Sequence, residues 1–351
     1  TLPVLANLLI KANETGVALT GTDLEVEIVA HTDVHVEQPG EITIPARKLA
    51  DIWRALPEGS DVTLSVEGDR ATVRSGRSRF TLATLPAVDF PKIEGGETDV
   101  VVSVAQADLR MLIEGVGFAM AQQDVRYFLN GMLFEVTEDH LRTVATDGHR
   151  LALSTKSCSL ESPIAERRQA IVPRKAVLEL GRLLDEEDED IRIQLGTNHL
   201  RVSKGAYTLT TKLVDGQFPD YDKVVPKDAS RTLVGDRDTL RQGFQRASIL
   251  SNEKYRGVRL TIASEQLTIQ ANNPEQEEAE EVVPVEFNGN ELEIGFNVSY
   301  LLDVLGVIAD DQVKLSLSDA NSSALLEASG SDDAVYVCLL YTSPSPRDLT
   351  T

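Results

Sequence analysis

The stretch Ile44-Pro45-Ala46-Arg47-Lys48 opens a pattern that the chain uses three times. The pattern returns as Ile171-Val172-Pro173-Arg174-Lys175 and, less closely, as Ile294-Gly295-Phe296. Behind the first copy, the apolar residues with the spacing of one helix face are Leu49, Ile52, Trp53 and Leu56. Each copy therefore predicts the start of an amphipathic helix.

Other landmarks keep the same spacing. An alternating strand pattern follows each predicted helix, beginning at residues 62, 191 and 313. The landmark pairs that recur are Phe90-Pro91 with Phe218-Pro219, and Thr22-Asp23 with Thr146-Asp147 and Asn272-Asn273. The copies lie about 125 residues apart, well beyond the roughly 20–50 residues of solenoid repeats. The chain is therefore predicted to contain three similar domains.

Repeats two and three each open with one more predicted helix, marked by Leu109, Leu112, Ile113 and Val116 and by Leu240, Phe244 and Ala247. Repeat one starts directly at the following strand, so we expect about 25 residues to be missing before Thr1. Helices flanked by alternating strands predict an α+β fold with mostly antiparallel sheet. The expected domains are residues 1–98, 99–229 and 230–337.

The segment from Cys338 onward ends in a Ser-Pro-Ser-Pro stretch and resembles the translation of a sequencing adaptor. Proline lacks the backbone N–H that a helix interior or a central strand needs. We expect residues 338–351 to be a non-native tail, with a natural Ser/Pro-rich tail as the alternative.

The composition is that of an acidic globular protein with a formal net charge of −22. Two cysteines are too few for a disulfide framework, and no long apolar run predicts a membrane span. The charge is uneven, because predicted helices at 47–56, 174–184 and 237–246 each carry three basic residues against one acidic residue. Three basic helix faces suit a phosphate backbone, although solvated surface charge is the alternative.

The sequence contains no phosphate-binding glycine loop and no GxSxG or HExxH motif. Asp147 and His149, with Ser154 nearby, allow a hydrolase hypothesis, but a turn built on Gly148 is favoured. The acidic run Glu275–Glu281 is more typical of an ion-pairing patch than of a metal site. We therefore expect no catalysis, no metal and no cofactor.

Several segments together closely resemble the bacterial DNA polymerase III beta subunit family, the sliding clamps. These segments are residues 73–80, 146–151, 218–221, 250–254 and 272–281, and the resemblance runs from Thr1 to about Val337. It implies three similar clamp domains of two helices plus antiparallel sheets. It also implies a ring-forming head-to-tail homodimer with helices lining the hole.

The resemblance implies a non-catalytic processivity factor that encircles duplex DNA. The implied partners are double-stranded DNA without sequence preference, the polymerase III catalytic subunit, the clamp loader, other proteins with clamp-binding motifs, and a second copy of the chain. The implied location is the cytoplasm, at the nucleoid, with no membrane contact. The alternatives that stay open are an acidic hydrolase and a triplicated adaptor that binds only proteins.

The resemblance also implies three sets of site residues. Those expected to contact DNA are Gln123, Tyr127, Phe128, Arg174 and Lys175, with core packing as the alternative for the two aromatic residues. Those expected to form a peptide pocket are Leu129, Thr146, Gly148, His149, Arg150, Leu151, Pro219, Lys223, Val224, Ser323 and Val337. Those expected at the dimer interface are Arg70, Arg77, Arg79, Phe80, Ile249, Leu250, Glu275, Glu277, Glu278, Glu280 and Glu281.

Overall fold

The computed structural model describes residues 2–93, 96–227 and 229–339. Their α-helices are α1 (Ala46–Ala55), α2 (Gln106–Gly117), α3 (Arg174–Leu183), α4 (Arg237–Ser248) and α5 (Val298–Val307). Helices α1, α3 and α5 begin at the three copies of the recurring stretch, and α2 and α4 are the additional helices of repeats two and three. The predicted helices are confirmed.

The strands follow the same threefold order. Repeat one contains β1 (Asn7–Asn13), β2 (Gly16–Thr22), β3 (Val26–Thr32), β4 (Gly40–Pro45), β5 (Thr63–Glu67), β6 (Arg70–Ser75) and β7 (Ser78–Ala83). Repeat two contains β8 (Thr98–Ala105), β9 (Gly131–Val136), β10 (His140–Thr146), β11 (Arg150–Ser157), β12 (Ser159–Leu160), β13 (Arg168–Pro173), β14 (Asp190–Gly196), β15 (His199–Lys204) and β16 (Tyr207–Lys212). Repeat three contains β17 (Arg231–Asp236), β18 (Gly257–Ile262), β19 (Gln266–Asn272), β20 (Glu278–Pro284), β21 (Glu286–Asn288), β22 (Leu292–Asn297), β23 (Gln312–Leu317), β24 (Ala324–Ala328) and β25 (Ser331–Cys338).

The chain divides into two compact units. The first consists of residues up to Val104 with Leu160–Pro163 and Glu187–Leu213, and the second contains the rest. The first unit holds a nine-stranded sheet in the order β12-β8-β14-β15-β16-β3-β2-β1-β4 and a three-stranded sheet β5-β6-β7. The second holds a nine-stranded sheet β13-β9-β10-β11-β25-β24-β23-β17-β21 and a four-stranded sheet β20-β19-β18-β22. These sheets are built from antiparallel pairs, which confirms the predicted α+β class.

Both nine-stranded sheets cross a repeat boundary through the same kind of strand pair. In the first unit β3 of repeat one pairs with β16 of repeat two, with Ile28 opposite Leu209. In the second unit β11 of repeat two pairs with β25 of repeat three, with Ala152 opposite Tyr336. We call each of these pairs a junction.

The hairpins show which strands are equivalent between repeats. Glu27 lies opposite Thr22, Leu151 opposite Thr146, and Glu278 opposite Asn272, so β3, β11 and β20 correspond. By the same comparison β7 corresponds to β16, since both follow a two-residue turn with a left-handed glycine. In the described residues β7 and β20 are edge strands of their sheets. The chain thus has two junctions and the two halves of a third.

Trp53 departs from the expectation that it belongs to a buried helix face. Its side chain is 47% exposed, whereas Leu180, at the same position of α3, is 1% exposed. Helix α3 packs against α2, and α5 packs against α4, but no α-helix precedes α1 in the described residues. Among the described residues, no helix of the α2 type covers the face of α1 that carries Trp53.

Two further expectations concern the segment from Cys338 onward and the absence of a membrane-spanning helix. Strand β25 runs through Cys338, which is buried and pairs with Arg150, so the strand continues one residue into the expected tail. Leu339 of that expected tail is also described, and residues 340–351 lie outside the described residues. Among the described helices, none is both long and apolar enough to cross a membrane.

Candidate functional site

A cavity of about 280 Å³ opens in the second unit beside the junction of β11 and β25. Its lining residues are Arg126, Phe128, Leu129, Thr146, Gly148, Arg150, Leu151, Phe218, Pro219, Tyr221, Val224, Val337 and Leu339. Most of these side chains are apolar, and several belong to a buried cluster that includes Leu133, Val144 and Ile171. A mostly apolar cavity with a few polar groups at its rim is typical of a site for a hydrophobic ligand segment.

The turn between β10 and β11 forms one wall. Gly148 has φ +88°, and its N–H donates to Thr146 Oγ1 over 3.1 Å. The Asp147 carboxylate accepts the backbone N–H groups of His149 and Arg150 at 2.9 and 3.1 Å. The left-handed backbone at position 148 favours glycine, and a Cβ there would also lie 2.9 Å from both terminal nitrogens of Arg126, whose side chain would have to shift. The predicted turn is confirmed.

The hydrolase hypothesis finds no support in this geometry. The Asp147 carboxylate also pairs with the Arg150 guanidinium at 3.1 Å, while the His149 ring stacks on Tyr300 with centroids 6.4 Å apart. Ser154 lies buried within β11. In the described part of the chain these three side chains do not form the linked hydrogen bonds that activate a nucleophile.

The buried carboxylate of Glu135 stabilises the part of the cavity wall that Tyr221 forms. Glu135 is 2% exposed and accepts the Tyr221 hydroxyl at 2.7 Å and the Gln169 amide at 2.5 Å. Arg142 donates to the same Tyr221 oxygen at 3.1 Å. Burial is the main reason that the pKa of Tyr221 rises to about 12, so this phenol stays protonated at neutral pH. The network fixes the Tyr221 ring against the cavity.

Two guanidinium groups reach the rim, and both are paired. Arg126 donates to both carboxylate oxygens of Asp124 at 3.0 and 2.8 Å, which holds the pKa of Asp124 down at about 2. Arg150 pairs with Asp147 and with Asp303 of α5. Its guanidinium also lies over the Tyr300 ring, 4.7 Å from the centroid. The rim therefore carries little unpaired positive charge.

The structure brings most of the expected pocket residues together. Those that line the cavity are Leu129, Thr146, Gly148, Arg150, Leu151, Pro219, Val224 and Val337. Three others are not among the lining residues. His149 faces Tyr300, and Lys223 is largely exposed and pairs with Asp220 at 2.9 Å. Ser323 lies in the connection before β24. All three were expected from the family resemblance. Neighbouring residues in turns and strands face different ways, so membership of the same segment does not put every side chain in the wall.

Five lining residues were not expected at the pocket: Arg126, Phe128, Phe218, Tyr221 and Leu339. Phe128 was expected at DNA, but it is partly buried against the cluster behind the cavity. The segment 218–221 carried a usable signal, because its Phe-Pro pair recurs from Phe90-Pro91. Leu339 was not expected at the pocket because residues 338–351 were expected to be a non-native tail.

The other residues expected at DNA lie on a loop and a helix start of the second unit. Tyr127 is 57% exposed, and Gln123 is exposed with φ +57°. Arg174 and Lys175 open α3, where Arg174 donates to the Met120 carbonyl over 3.4 Å and Lys175 is exposed. The exposed side chains of Gln123, Tyr127 and Lys175 are accessible to a ligand outside the protein.

The three basic helix faces differ in the structure. The basic residues exposed on α1 are Arg47, Lys48 and Arg54, and those exposed on α3 are Lys175 and Arg182. On α4, Arg246 forms a bidentate salt bridge with Glu281, with both N···O distances at 2.8 Å. Arg237 donates to the backbone carbonyls of Ile308 and Ala309. Arg54 of α1 and Arg182 of α3 are also ion-paired, with Asp51 at 3.3 Å and with Glu179 at 2.6 Å. The α4 face therefore differs mainly in Arg237, which backbone carbonyls hold.

The residues expected at a dimer interface lie on the two edge strands and next to them. Arg79 is exposed on β7, and Phe80 faces the core of the first unit. Glu277 is exposed just before β20, and Glu278 and Glu280 are exposed at its start. Ile249, just beyond α4, is 75% exposed. The β7 edge is basic and the β20 edge is acidic, as the sequence predicted. Both edges belong to the same chain, and the structure contains no second copy.

The comparisons with known proteins agree over most of the chain. Sequence models of the DNA polymerase III beta subunit match as its N-terminal domain over residues 1–94, its central domain over 103–220 and its C-terminal domain over 222–342. A beta sliding clamp of Pseudomonas putida is 56% identical over 97% of this chain and 92% of its own length. The beta sliding clamp of Escherichia coli is 51% identical over the same shares.

Solved structures give the same result. The DNA polymerase sliding clamp of Pseudomonas aeruginosa, solved with a ligand, aligns with a TM-score of 0.95 at 55% identity, covering 98% of this chain and 93% of that one. A structure of the Pseudomonas aeruginosa clamp bound to griselimycin aligns with a TM-score of 0.94 at the same identity and coverage. Three clamp domains built on antiparallel sheets define the class of protein. The chain belongs to the DNA polymerase III beta subunit family, whose members are the bacterial sliding clamps.

Proposed function

We propose that this chain forms a ring with a second copy of itself, encircles duplex DNA and holds the replicative polymerase and other DNA-processing proteins on the duplex. The family membership over 97% of the chain carries the proposal. Such a role involves no bond chemistry, because a tether raises the effective concentration of the polymerase at the primer end. The chain acts as a non-catalytic subunit, in the cytoplasm and at the nucleoid.

The unfilled third junction supports head-to-tail closure. If β20 of one copy pairs with β7 of the next in the register of the other two junctions, Ala279 lies opposite Phe80, as Ile28 lies opposite Leu209. The neighbouring pair then sets Glu280 opposite Arg79. Opposite charges directly across two strands favour this pairing. A head-to-tail contact of this kind closes a ring when its rotation is a whole fraction of a turn.

The exposed basic residues of α1 and α3 are proposed to face the duplex. Lys175 and Arg182 lie on one helix, and Arg47, Lys48 and Arg54 on another. Lysine and arginine bind phosphate without reading sequence, and binding of this kind weakens steeply as salt rises. We propose that Arg174, Gln123 and Tyr127 add contacts from the second repeat. The acidic remainder of the chain would repel the duplex and keep it on these helix faces.

The cavity beside Leu151 and Val337 is proposed as the site for short peptide segments of the polymerase, the clamp loader and other partners. Its apolar wall can receive a hydrophobic side chain, and the rim offers hydroxyl and backbone groups that orient a peptide. The Pseudomonas aeruginosa clamp binds griselimycin, so a ligand of that kind is a suitable probe.

The decisive experiment is topological. The protein is loaded by a clamp loader onto nicked circular DNA, washed at high salt, and the DNA is then cut once. Retention on circles and loss after linearisation would support the ring, because high salt removes ordinary phosphate contacts but not a topological link.

Equal loss from circular and linear DNA would refute the proposed ring. The absence of any DNA dependence would favour the adaptor hypothesis instead. The control is the same DNA with the clamp loader omitted, which reports electrostatic binding alone. A second measurement, titration with griselimycin, tests the pocket separately from the ring.

A further inference from the structure

The second junction shows how the strand from the next repeat meets the helix that covers it. Tyr336 of β25 lies opposite Ala152 of β11, and α2 packs on β11. The Tyr336 ring contacts Phe118, the residue after α2, with ring centroids 5.9 Å apart. A Cβ on Gly115 would lie 3.4 Å from the Tyr336 hydroxyl, so this ring extends along the last turn of α2.

Helix α4 presents the equivalent positions at the third junction. It packs on β20 as α2 packs on β11, and aligning the first residues of the two helices pairs Gly115 with Arg246 and Phe118 with Ile249. Phe118 is partly buried, whereas Ile249 is 75% exposed and the Arg246 side chain is 54% exposed. In the described part of the chain, the surface that an aromatic ring covers on α2 is therefore open on α4.

Arg246 is fixed on this surface by a carboxylate of the edge strand. Its guanidinium donates to both oxygens of Glu281 at 2.8 Å, and the Glu281 side chain is only 25% exposed. Hydrogen bonds from Arg246 lower the pKa of Glu281, which keeps the pair ionised at neutral pH. Gly243, one turn earlier on α4, lies so close to β20 that a Cβ there would be 2.7 Å from Val283 Cγ2. A bidentate pair occupies one edge of the planar guanidinium and leaves its faces free for other contacts.

We propose that Arg246 is a further interface residue of the third junction, where its guanidinium lies against the ring of Phe80 from a second copy. In the register carried over from the other junctions, Phe80 lies opposite Ala279 and takes the place that Tyr336 has in the second junction. The ring then meets Arg246 and Ile249. This inference rests on the proposed ring of two chains and adds an interface residue that the family resemblance did not imply.

The physical reason is that a guanidinium is attracted to the face of an aromatic ring. The attraction is electrostatic, and a guanidinium is more weakly hydrated than an ammonium, so covering it with a ring costs less. Because Glu281 already holds the Arg246 side chain, docking of the ring orders few additional rotamers. The carboxylate also keeps the guanidinium paired once the junction covers it, so no unpaired charge is buried. Glu281 therefore acts through Arg246 as a positioning residue, and not as a direct ion-pair partner of the second copy.

The test is a double-mutant cycle on the dimer Kd, measured by sedimentation velocity over a dilution series. The variants are Arg246→Gln, Phe80→Leu and their combination, because leucine keeps an apolar side chain at position 80 and removes the aromatic ring. The matched control is Arg241→Gln, which removes the same charge from an exposed position of the same helix.

We expect Arg246→Gln to raise the dimer Kd roughly 5- to 30-fold, since a contact of this kind contributes about two- to fivefold at each of the two junctions between copies. Arg241→Gln should leave the Kd unchanged. In the Phe80→Leu background, Arg246→Gln should lose most of its effect, because the ring that it contacts is gone. A structural role of Arg246 within its own chain would not depend on residue 80 in this way.

An unchanged Kd in Arg246→Gln would overturn the inference, and so would an equal rise in Arg241→Gln. An effect of Arg246→Gln that is equal with and without the Phe80 ring would also overturn it. If the parent protein stays monomeric at every concentration, the proposed ring of two chains is wrong and the inference falls with it. If the parent dimerises and the cycle shows no coupling, the proposed ring stands and the role of Arg246 does not.

Discussion

The register carried over from the two junctions makes one pairing at the proposed seam testable. It sets Arg79 of one copy opposite Glu280 of the next, both on exposed strand positions. An exposed ion pair contributes about 0.2–1 kcal/mol, and like charges directly opposite each other cost a similar amount. Arg79→Glu should therefore weaken each seam by about 0.4–2 kcal/mol.

A ring of two chains has two such seams, and complete dissociation breaks both. The free energy of dissociation should then fall by about 0.8–4 kcal/mol, which corresponds to a roughly 4- to 700-fold rise in the dimer Kd. Sedimentation velocity over a dilution series at low salt measures this change. At high salt the difference should shrink, because the Debye length falls to about 3 Å at 1 M.

The charge swap separates this pairing from general damage. Glu280→Arg combined with Arg79→Glu restores opposite charges at the seam and should recover most of the lost affinity. The control is Arg54→Glu on α1, an equal charge change away from both edge strands, which should leave the dimer Kd unchanged. If the double variant dimerises no better than Arg79→Glu alone, the strand register carried over from the two junctions is refuted.

Three further predictions concern the pocket and the DNA surface. Tyr221→Phe removes a donor from buried Glu135 and should destabilise the protein by about 1–3 kcal/mol in urea unfolding. Griselimycin affinity should change little, because the ring still lines the wall, and a large loss would contradict this reading. Gly148→Ala places a methyl group on a left-handed residue and should cost about 1–2 kcal/mol while lowering griselimycin affinity, as thermal unfolding and titration would show. Replacing Arg174 and Lys175 together by glutamine should reduce the slope of log affinity for DNA against log salt by about 2, and an unchanged slope would remove both residues from the DNA surface.

Much of the fold could be predicted because it is repeated. The recurring stretch at 44, 171 and 294 located three helices, and alternation located the strands behind them. The exposure of Trp53 could not be predicted from its own helix, because burial of a helix face depends on the neighbour that covers it. The cross-repeat strand pairs were not visible either, since pairing partners far apart in sequence leave no local pattern.

The candidate site was predicted from the family resemblance, and eight of its eleven expected residues line the cavity. Leu151 and Val337 lie on paired strands and line the cavity together, as expected. His149 and Lys223 were also expected from the resemblance, but here the His149 ring stacks on Tyr300 and Lys223 pairs with Asp220. Orientation of this kind is set by tertiary packing and not by proximity in sequence.

The equivalence of β3, β11 and β20 has a consequence for how many partners a ring can hold. Leu151 contributes an apolar wall in repeat two, whereas the equivalent positions in repeats one and three are the carboxylates Glu27 and Glu278. Only the second repeat can offer a hydrophobic anchor at this position. A two-chain ring of six similar domains would then have two anchoring sites and not six. At most two partners could then bind one ring through this site at the same time. The number of partners bound at a replication fork would thus be limited by the residue at the Leu151 position of each repeat.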